Sequence, residues 1–422
     1  MKRRNFLFTA CQTALITSAL NGCADSESVK TGENPVATPE SRAEYLETML
    51  KALCTDLGPH PIGSPEYDIA AEIVKKEMQR SLPSVELDTF MYERWMLTSE
   101  PELYIGERWI EAYPAHGSSG TPPSGITGIP KKIDDPGGIP YGVTDSKTGE
   151  ILAYITFSGY GNARPSPYYS FKKEPKCPPI FIIGKQDLPV VDDAVENSTP
   201  VRMKVQVEFI PDTPTSNVVG TLPGESSDEM VFLAHLDTVY NSPGANDNTA
   251  TLILMLMWAH ALAGSIPNAG KRPKKTMTFI ATNGEEYNKL GAIHYVERRK
   301  NEGTLENIKF VFNFDSFTWG PNVIAYSDDG ELQSIVHDLN RTHNKKGIVE
   351  NAKDGFWLDA GPFRETGARA LSLNTKGNDV GDFCWHRPND VPANVSVELV
   401  ETFYLLMNDL IQRVDNLGTS PL

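Results

Sequence analysis

The spacing of apolar residues near the amino end of the chain predicts two helices followed by a strand. Apolar side chains recur three and four residues apart over residues 46–53, and this pattern stops before Gly58-Pro59. Ser64-Pro65 then offers an N-cap and a proline at the first helical position, ahead of a second apolar stripe over residues 69–78. Residues 85–90 predict a strand after these helices.

From residue 211 onwards, short apolar runs alternate with helical patterns. The runs that predict strands are residues 217–222, 230–234, 276–282, 308–314 and 368–373. The clearest helical patterns lie at residues 249–262, 291–299, 331–343 and 397–414. Near-continuous apolar strands that alternate with helices are typical of a parallel sheet covered on both faces. We therefore expect an α/β fold with a mostly parallel, doubly wound mixed sheet flanked by helices.

Residues 95–210 interrupt this regular alternation. They contain turn-rich segments at 117–125 and 134–140, and runs that predict strands at 151–157, 179–184 and 204–210. We predict that residues 95–210 form an inserted, mostly β domain, and that residues 39–94 and 211–422 together form the main domain.

Residues 1–22 have the features of a targeting segment. Lys2-Arg3-Arg4 precede an apolar stretch over residues 6–20, which is too short to span a bilayer and leads into Leu20-Asn21-Gly22-Cys23. Leu-x-Gly-Cys resembles the lipobox of bacterial lipoproteins, and the paired arginines resemble a twin-arginine signal, with an ordinary Sec leader as the alternative. We predict export, lipidation at Cys23, a flexible tether over residues 23–38, and a location on the periplasmic or cell-surface side.

Charge and cysteine content narrow the possible partners. The formal net charge of -16 argues against nucleic-acid binding, which depends on lysine and arginine neutralising phosphates. If the leader is removed and Cys23 is lipidated, the remaining cysteines are Cys54, Cys177 and Cys384, an odd number far apart, which gives no disulfide framework. The only membrane contact that we expect is the lipid anchor, and the oligomeric state stays open.

Histidine and carboxylate side chains follow several of the predicted strands directly. His235 and Asp237 follow the strand at 230–234, Glu285 and Glu286 follow the strand at 276–282, and Asp315 follows the strand at 308–314. Because ligands bind beyond the carboxyl ends of strands in open α/β sheets, these residues are expected to meet at one edge.

Two further candidates come from loops. Asp247 lies just before the helix predicted at residue 249, where the helix dipole favours a carboxylate, and His386 lies in a late loop. Zinc suits such a mixed set of imidazole and carboxylate ligands, and one bridging carboxylate would let five ligands hold two ions. One of Glu285 and Glu286 could then bind metal while the other acts as general base, and Asp237 could fix the tautomer of a ligating histidine.

At these positions the chain resembles the co-catalytic zinc peptidases, which include bacterial leucyl aminopeptidases and, more remotely, glutamate carboxypeptidase II. The motifs that carry the resemblance are His235-Leu236-Asp237, residues 244–248, Asn283-Gly284-Glu285-Glu286, Asn313-Phe314-Asp315 and residues 385–390. The resemblance implies two zinc ions bridged by Asp247, with His235 and Asp315 completing one site and Glu286 and His386 the other. It also implies that Glu285 is the general base, and that the insert is a protease-associated domain that shields the cleft.

The resulting hypothesis is an exported zinc exopeptidase that removes amino-terminal residues from peptides. Carboxypeptidase or dipeptidase action is an alternative on the same fold, and so is glutaminyl cyclisation with a single zinc ion. A non-catalytic binding protein like the transferrin receptor is an alternative from another class, although the complete ligand set with Glu285 speaks against it.

Overall fold

The structure is a computed structural model that describes residues 34–134, 139–166, 178–269, 272–342, 348–351, 357–377 and 383–418. The predictions for the leader, for lipidation at Cys23 and for most of the tether lie outside these residues. The described residues fold around two eight-stranded sheets.

The helices and strands have the following bounds. The α-helices are α1 Pro39–Leu50, α2 Pro65–Gln79, α3 Leu188–Asn197, α4 Ala250–Ala269, α5 Leu290–Asn301, α6 Gly330–Thr342, α7 Ala360–Arg364 and α8 Val397–Asp415. The first eight strands are β1 Ser84–Leu97, β2 Glu102–Ile105, β3 Arg108–Trp109, β4 Ala112–Pro114, β5 Ile126–Lys132, β6 Tyr141–Thr144, β7 Ile151–Phe157 and β8 Ile180–Ile183. The others are β9 Val201–Lys204, β10 Val207–Leu222, β11 Glu229–His235, β12 Thr276–Thr282, β13 Ile308–Phe314, β14 Asn322–Ser327, β15 Ile348–Asn351 and β16 Arg369–Lys376.

The first sheet has the order β1-β10-β12-β11-β13-β16-β14-β15. Its four central strands, β12, β11, β13 and β16, are mutually parallel, whereas β10 and β14 pair antiparallel to them on either side. Helices cover both faces. The expected α/β fold with a mostly parallel mixed sheet is thereby confirmed.

Alternate residues of the central strands point into two different cores, and this explains why these strands are apolar throughout. Met230, Phe232 and Ala234 pack with α1, α2, α4, α6 and α8 on one face, and the ring of Phe232 stacks on Phe279 at 5.0 Å between centroids. Val231 and Leu233 pack with α5 and α7 on the other face. The most apolar helix, α4, lies in the first core.

Local sequence signals fix the starts of the helices. Thr38 caps α1 in a capping box with Ser41, and Ser64 caps α2 by accepting from the amide of Tyr67.

The stretch Ala245–Ile266, which includes most of α4, is long and apolar enough to cross a membrane by composition alone. Residues 250–260 of α4 are all buried against the sheet and other helices, as expected for a core helix.

The second sheet, in the order β3-β2-β9-β5-β6-β7-β8-β4, is built entirely from residues 102–204. Two antiparallel strands, β1 and β10, connect it to the first sheet and pair with each other from Ser84↔Thr221 to Leu97↔Val207. Both strands are longer than the sequence predicted, because their outer halves stay paired after they leave the first sheet. The strand predicted at residues 204–210 is in fact split between β9 and β10.

Candidate metal centre

Three neighbouring parallel strands deliver the predicted ligands to one edge of the first sheet. His235 is the last residue of β11, Asp315 directly follows β13, and a short turn after β12 carries Glu285 and Glu286. This turn depends on Gly284, which has a positive φ of 74° and whose added Cβ would lie 2.7 Å from Ile62. These side chains therefore meet at one edge of the sheet, as expected for residues at the carboxyl ends of parallel strands.

The loop that carries Asp247 is held by a second buried carboxylate. Asp390 is fully buried and accepts from the amide of Asn246 at 2.9 Å and from the amide of Asp247 at 3.1 Å. The side-chain amide of Asn246 donates to the same carboxylate at 2.9 Å. Gly244 begins this loop with a φ of 63°, and a Cβ there would come within 2.6 Å of Thr238. Asp390 is a functional residue that was not predicted from the sequence.

Asp247 lies between two histidines that approach it from opposite sides. Its Oδ1 is 3.2 Å from Nε2 of His235, and its Oδ2 is 3.5 Å from Nε2 of His386. Asp315 lies 3.8 Å from the same nitrogen of His235, and Glu286 lies 2.9 Å from that of His386. The five residues thus form two groups that share Asp247, which is the arrangement implied by the family resemblance.

Main-chain carbonyls determine the tautomer of both histidines. Nδ1 of His235 donates to the carbonyl of Asp237 at 2.9 Å, and Nδ1 of His386 donates to the carbonyl of Pro165 at 2.7 Å. Since a carbonyl can only accept, Nδ1 keeps its proton in the neutral form of each ring, and the lone pair of that form lies on the Nε2 that faces the carboxylates. Both rings are therefore presented as metal ligands.

The carboxylate of Asp237 differs in its contact from the sequence expectation. Its Oδ1 is 3.8 Å from Nδ1 of His235, beyond hydrogen-bonding distance, and it accepts instead from the amide of Glu285 at 3.2 Å. The reason is that the main-chain carbonyl of Asp237 is nearer to the imidazole and occupies its proton. Asp237 therefore links the His235 strand to the Glu285 turn.

Glu285 and Glu286 differ in exposure although they are adjacent. Glu286 is 3% exposed and faces His386, whereas Glu285 is only partly buried. Carboxylate and imidazole atoms of Glu285, His235 and Asp315 lie within 4.8 Å of one another. Glu285 therefore lies beside the cluster, next to His235 and Asp315.

Negative charge dominates the cluster. Burial raises the pKa of Asp315 to about 7, and it raises the pKa of Glu285 well above its usual value, with the charges of Asp315 and Asp359 adding to the effect. Burial alone would lower the pKa of His235, but the hydrogen bond to Asp247 and the nearby carboxylates raise it well above normal.

This charge balance and the donor types fit a cationic ligand. In the described part of the chain, the ion pairs of Asp247, Asp315 and Glu286 are with histidine and none is with lysine or arginine. Imidazole nitrogen with carboxylate oxygen is the set that divalent metals such as zinc accept. The residues present therefore fit a metal centre at the edge of an α/β sheet.

Comparison with known protein families gives one match, which covers the part of the chain that holds the cluster. Residues 217–411, which contain all five predicted ligands, match the sequence model of Peptidase family M28. The protein is thus a metallo-exopeptidase, a hydrolase of peptide bonds.

Individual relatives and structures are similar at low identity. Carboxypeptidase Q of Mus musculus is 24% identical over 362 residues, covering 74% of each chain. The probable lipoprotein aminopeptidase LpqL of Mycobacterium tuberculosis is 24% identical over 365 residues, covering 79% of this chain and 69% of its own. The structure of BSAP, a zinc aminopeptidase from Bacillus subtilis, superposes with a TM-score of 0.67 at 20% identity, over 88% of this chain and 94% of that one. This likeness supports the fold.

Proposed function

We propose that the protein is an exported aminopeptidase that hydrolyses amino-terminal peptide bonds with two zinc ions and a glutamate base. The observation that carries this proposal is the position of Asp247 between His235 and His386, with one oxygen directed to each imidazole. A carboxylate so placed can bridge two ions, and each histidine then needs one further carboxylate, which Asp315 and Glu286 supply.

Two bound zinc ions would lower the pKa of a water molecule and stabilise the developing charge on the scissile carbonyl. The chain's own residues supply the remaining steps. Glu285 lies beside the ligands and is partly exposed as a residue, and the carboxylate that faces His386 is that of Glu286. We therefore assign to the carboxylate of Glu285 the role of accepting the proton of the attacking water. It can then transfer this proton to the nitrogen of the leaving peptide.

Two carbonyls and one carboxylate keep these groups in place. The carbonyls of Asp237 and Pro165 hold the two imidazoles, and the carboxylate of Asp237 holds the amide of Glu285. Because Asp237 is fully buried and reaches both His235 and Glu285, it orients the metal ligand and the base with respect to each other.

Substitution of the adjacent glutamates tests the proposal. Glu285→Gln should lower kcat by about 10²- to 10⁴-fold, the usual contribution of general acid–base catalysis, while the zinc content stays at two ions per chain. Glu286→Gln should instead lose zinc, because that carboxylate faces His386 at 2.9 Å. Elemental analysis together with hydrolysis of aminoacyl-anilides measures both. Full activity of Glu285→Gln, or wild-type protein without bound metal, would refute the proposal.

Carboxypeptidase or dipeptidase action is the second candidate, and the similarity to carboxypeptidase Q is the observation that favours it. The two activities yield different products from a peptide of mixed sequence. An aminopeptidase shortens the peptide from the amino end, a carboxypeptidase shortens it from the other end, and a dipeptidase leaves longer peptides intact. Mass spectrometry of the products over time distinguishes them.

Export as a lipoprotein is part of the proposal. It rests on the sequence Leu20-Asn21-Gly22-Cys23 and on the similarity to LpqL, which is named as a probable lipoprotein. Labelling of the full chain with a clickable fatty acid in a bacterial host should mark the wild type and leave Cys23→Ala unlabelled. Equal labelling of both would exclude Cys23 as the lipidated residue.

A further inference from the structure

Residues 158–166 lead from the end of β7 in the second sheet to the metal centre. We call residues 158–166, which follow β7, the β7 loop. Within it, the carbonyl of Pro165 accepts the Nδ1 proton of His386, although the two residues are 221 positions apart. The Nε2 of this imidazole faces Glu286 and Asp247. One group that fixes the orientation of a predicted ligand therefore comes from a loop of the second sheet.

Arg164, the neighbour of Pro165, holds the residue before His386. Its side chain is 1% exposed, and its Nη1 donates to the carbonyl of Trp385 at 3.0 Å. The guanidinium lies 4.2 Å from the ring centroid of Tyr160 in the same loop and 5.4 Å from that of Trp385. Trp385 in turn packs on the imidazole of His386 with centroids 4.1 Å apart.

The residue after His386 holds the β7 loop from the other direction. Nη1 of Arg387 donates to the carbonyl of Ala163 at 2.6 Å, and its Nη2 lies 3.4 Å from Glu111, just before β4. The residues on both sides of His386 are therefore bonded to the second sheet or its loops. These contacts fix the position of the backbone from which the imidazole extends.

The β7 loop is itself packed tightly on the end of β8. The amides of Lys185 and Gln186 donate to the carbonyls of Tyr160 and Gly161 at 3.1 and 3.2 Å. At Gly184, directly after β8, the backbone comes so close to the β7 loop that an added Cβ would lie 2.4 Å from the carbonyl oxygen of Gly161. The same Cβ would lie 2.8 Å from the amide nitrogen of Ala163. A side chain at position 184 must therefore displace the loop.

We propose that the second sheet is a structural support of the metal centre. The β7 loop, seated on Gly184, holds His386 in the tautomer and orientation that metal binding requires, and Arg164 is a positioning residue. The sheet thus does more than shield the cleft, the role that the family resemblance implied for this region. The inference rests on the proposed function for the existence of two metal ions. It adds that the site that contains His386 depends on contacts from the second sheet.

Gly184→Ala tests this without altering any ligand. Loss of an outer contact to a ligating histidine usually weakens metal affinity by about 10- to 100-fold. We therefore expect the full-length variant to bind one zinc ion as tightly as the wild type and the other about 10- to 100-fold more weakly, in competition with a zinc-binding dye. The value of kcat should fall with the weaker ion, and KM should change less.

Gly159→Ala is the matched control. Gly159 lies in the same loop, is exposed, and has no atom within 4 Å of an added Cβ. The Gly159→Ala variant should bind both ions as tightly as the wild type. Circular dichroism of all variants distinguishes a local displacement from a failure to fold.

The outcomes separate the two proposals. If the wild type binds no metal, the proposed function fails. If the wild type binds two ions and Gly184→Ala binds both equally well, or both equally weakly, the support by the second sheet is refuted. If Gly184→Ala does not fold, Arg164→Ala decides in the same assay: weakening of one ion supports the inference, partial rescue by Arg164→Lys supports it further, and unchanged binding of both ions refutes it.

Discussion

Asn217 joins the first sheet to the turn that carries the proposed base. It is fully buried at the inner part of β10, and its Oδ1 accepts from the amide of Asn283 at 3.0 Å. Its Nδ2 donates to the carboxylate of Asp88 at 2.9 Å and to the carbonyl of Gly291 at 3.0 Å. Substitution by alanine removes all three hydrogen bonds and leaves the buried amide of Asn283 without this acceptor.

The expected loss follows from the partners. Two of the three bonds are between neutral groups, at about 0.5–1.5 kcal/mol each, and the third has a carboxylate acceptor, at about 1.5–3 kcal/mol. Asn217→Ala should therefore lower the free energy of unfolding by about 2.5–6 kcal/mol. Because Asn283 is two residues before Glu285, kcat should fall as well.

Unfolding in guanidinium chloride, followed by tryptophan fluorescence, measures the first effect, and anilide hydrolysis measures the second. Asn416→Ala is a suitable control, since Asn416 is exposed and, among the described residues, its Nδ2 donates to the carbonyl of Gln412 alone, at 2.7 Å. This control should change the free energy of unfolding by no more than about 0.5 kcal/mol. A loss below about 1 kcal/mol in Asn217→Ala, with kcat unchanged, would refute the role assigned to these bonds.

Three further predictions concern the buried charges. Arg299→Met should lower the free energy of unfolding by about 3–5 kcal/mol, because the buried carboxylate of Glu229 loses the guanidinium that contacts it at 2.6 and 3.0 Å. Removal of the exposed Arg341 should lower it by less than about 1 kcal/mol in the same denaturant titration. Asp390→Ala should weaken zinc binding about 10- to 100-fold in dye competition, since it releases the loop that carries Asp247; wild-type affinity would contradict this. Treatment with a chelator should lower the melting temperature, and zinc at 100 times its Kd should restore about 2.7 kcal/mol; a melting temperature insensitive to both would exclude a metal bound to the folded state.

The central part of the fold could be predicted because its strands satisfy two cores at once. Strands β11, β12 and β13 are apolar at successive positions, and short polar turns bound them. Strands β14 and β15, at the far end of this sheet, were not predicted, and β14 is partly polar at Asn322 and Ser327. Helix α3 was missed inside a region that otherwise reads as strands.

The site could be predicted where a ligand lies at the end of a strand or directly after it, as His235 and Asp315 do. The support from the second sheet could not be predicted, because the contacting group of Pro165 is a main-chain carbonyl, which every residue has, and it lies far from His386 in sequence. Asn217 did carry a signal, since it is a polar residue at the start of an apolar run. Asp390 carried one too, as a carboxylate in the same motif as His386, but a buried hydrogen-bond acceptor and a metal ligand look alike in a sequence.

The ribbon of β1 and β10 has a consequence for how this architecture could arise and change. Leu97 and Val207 are cross-strand partners, so the whole segment between them occupies the place of a hairpin loop. Lengthening such a loop costs little closure entropy, about 0.6 kcal/mol for each doubling, so a segment of this size is thermodynamically easy to acquire at that point. Its removal is a different matter, because the same segment contains Pro165 and Arg164. A two-residue turn between Leu97 and Val207 would restore the hairpin but leave His386 without its carbonyl partner. Gain of the segment therefore costs little closure entropy, whereas its loss would disturb the metal centre.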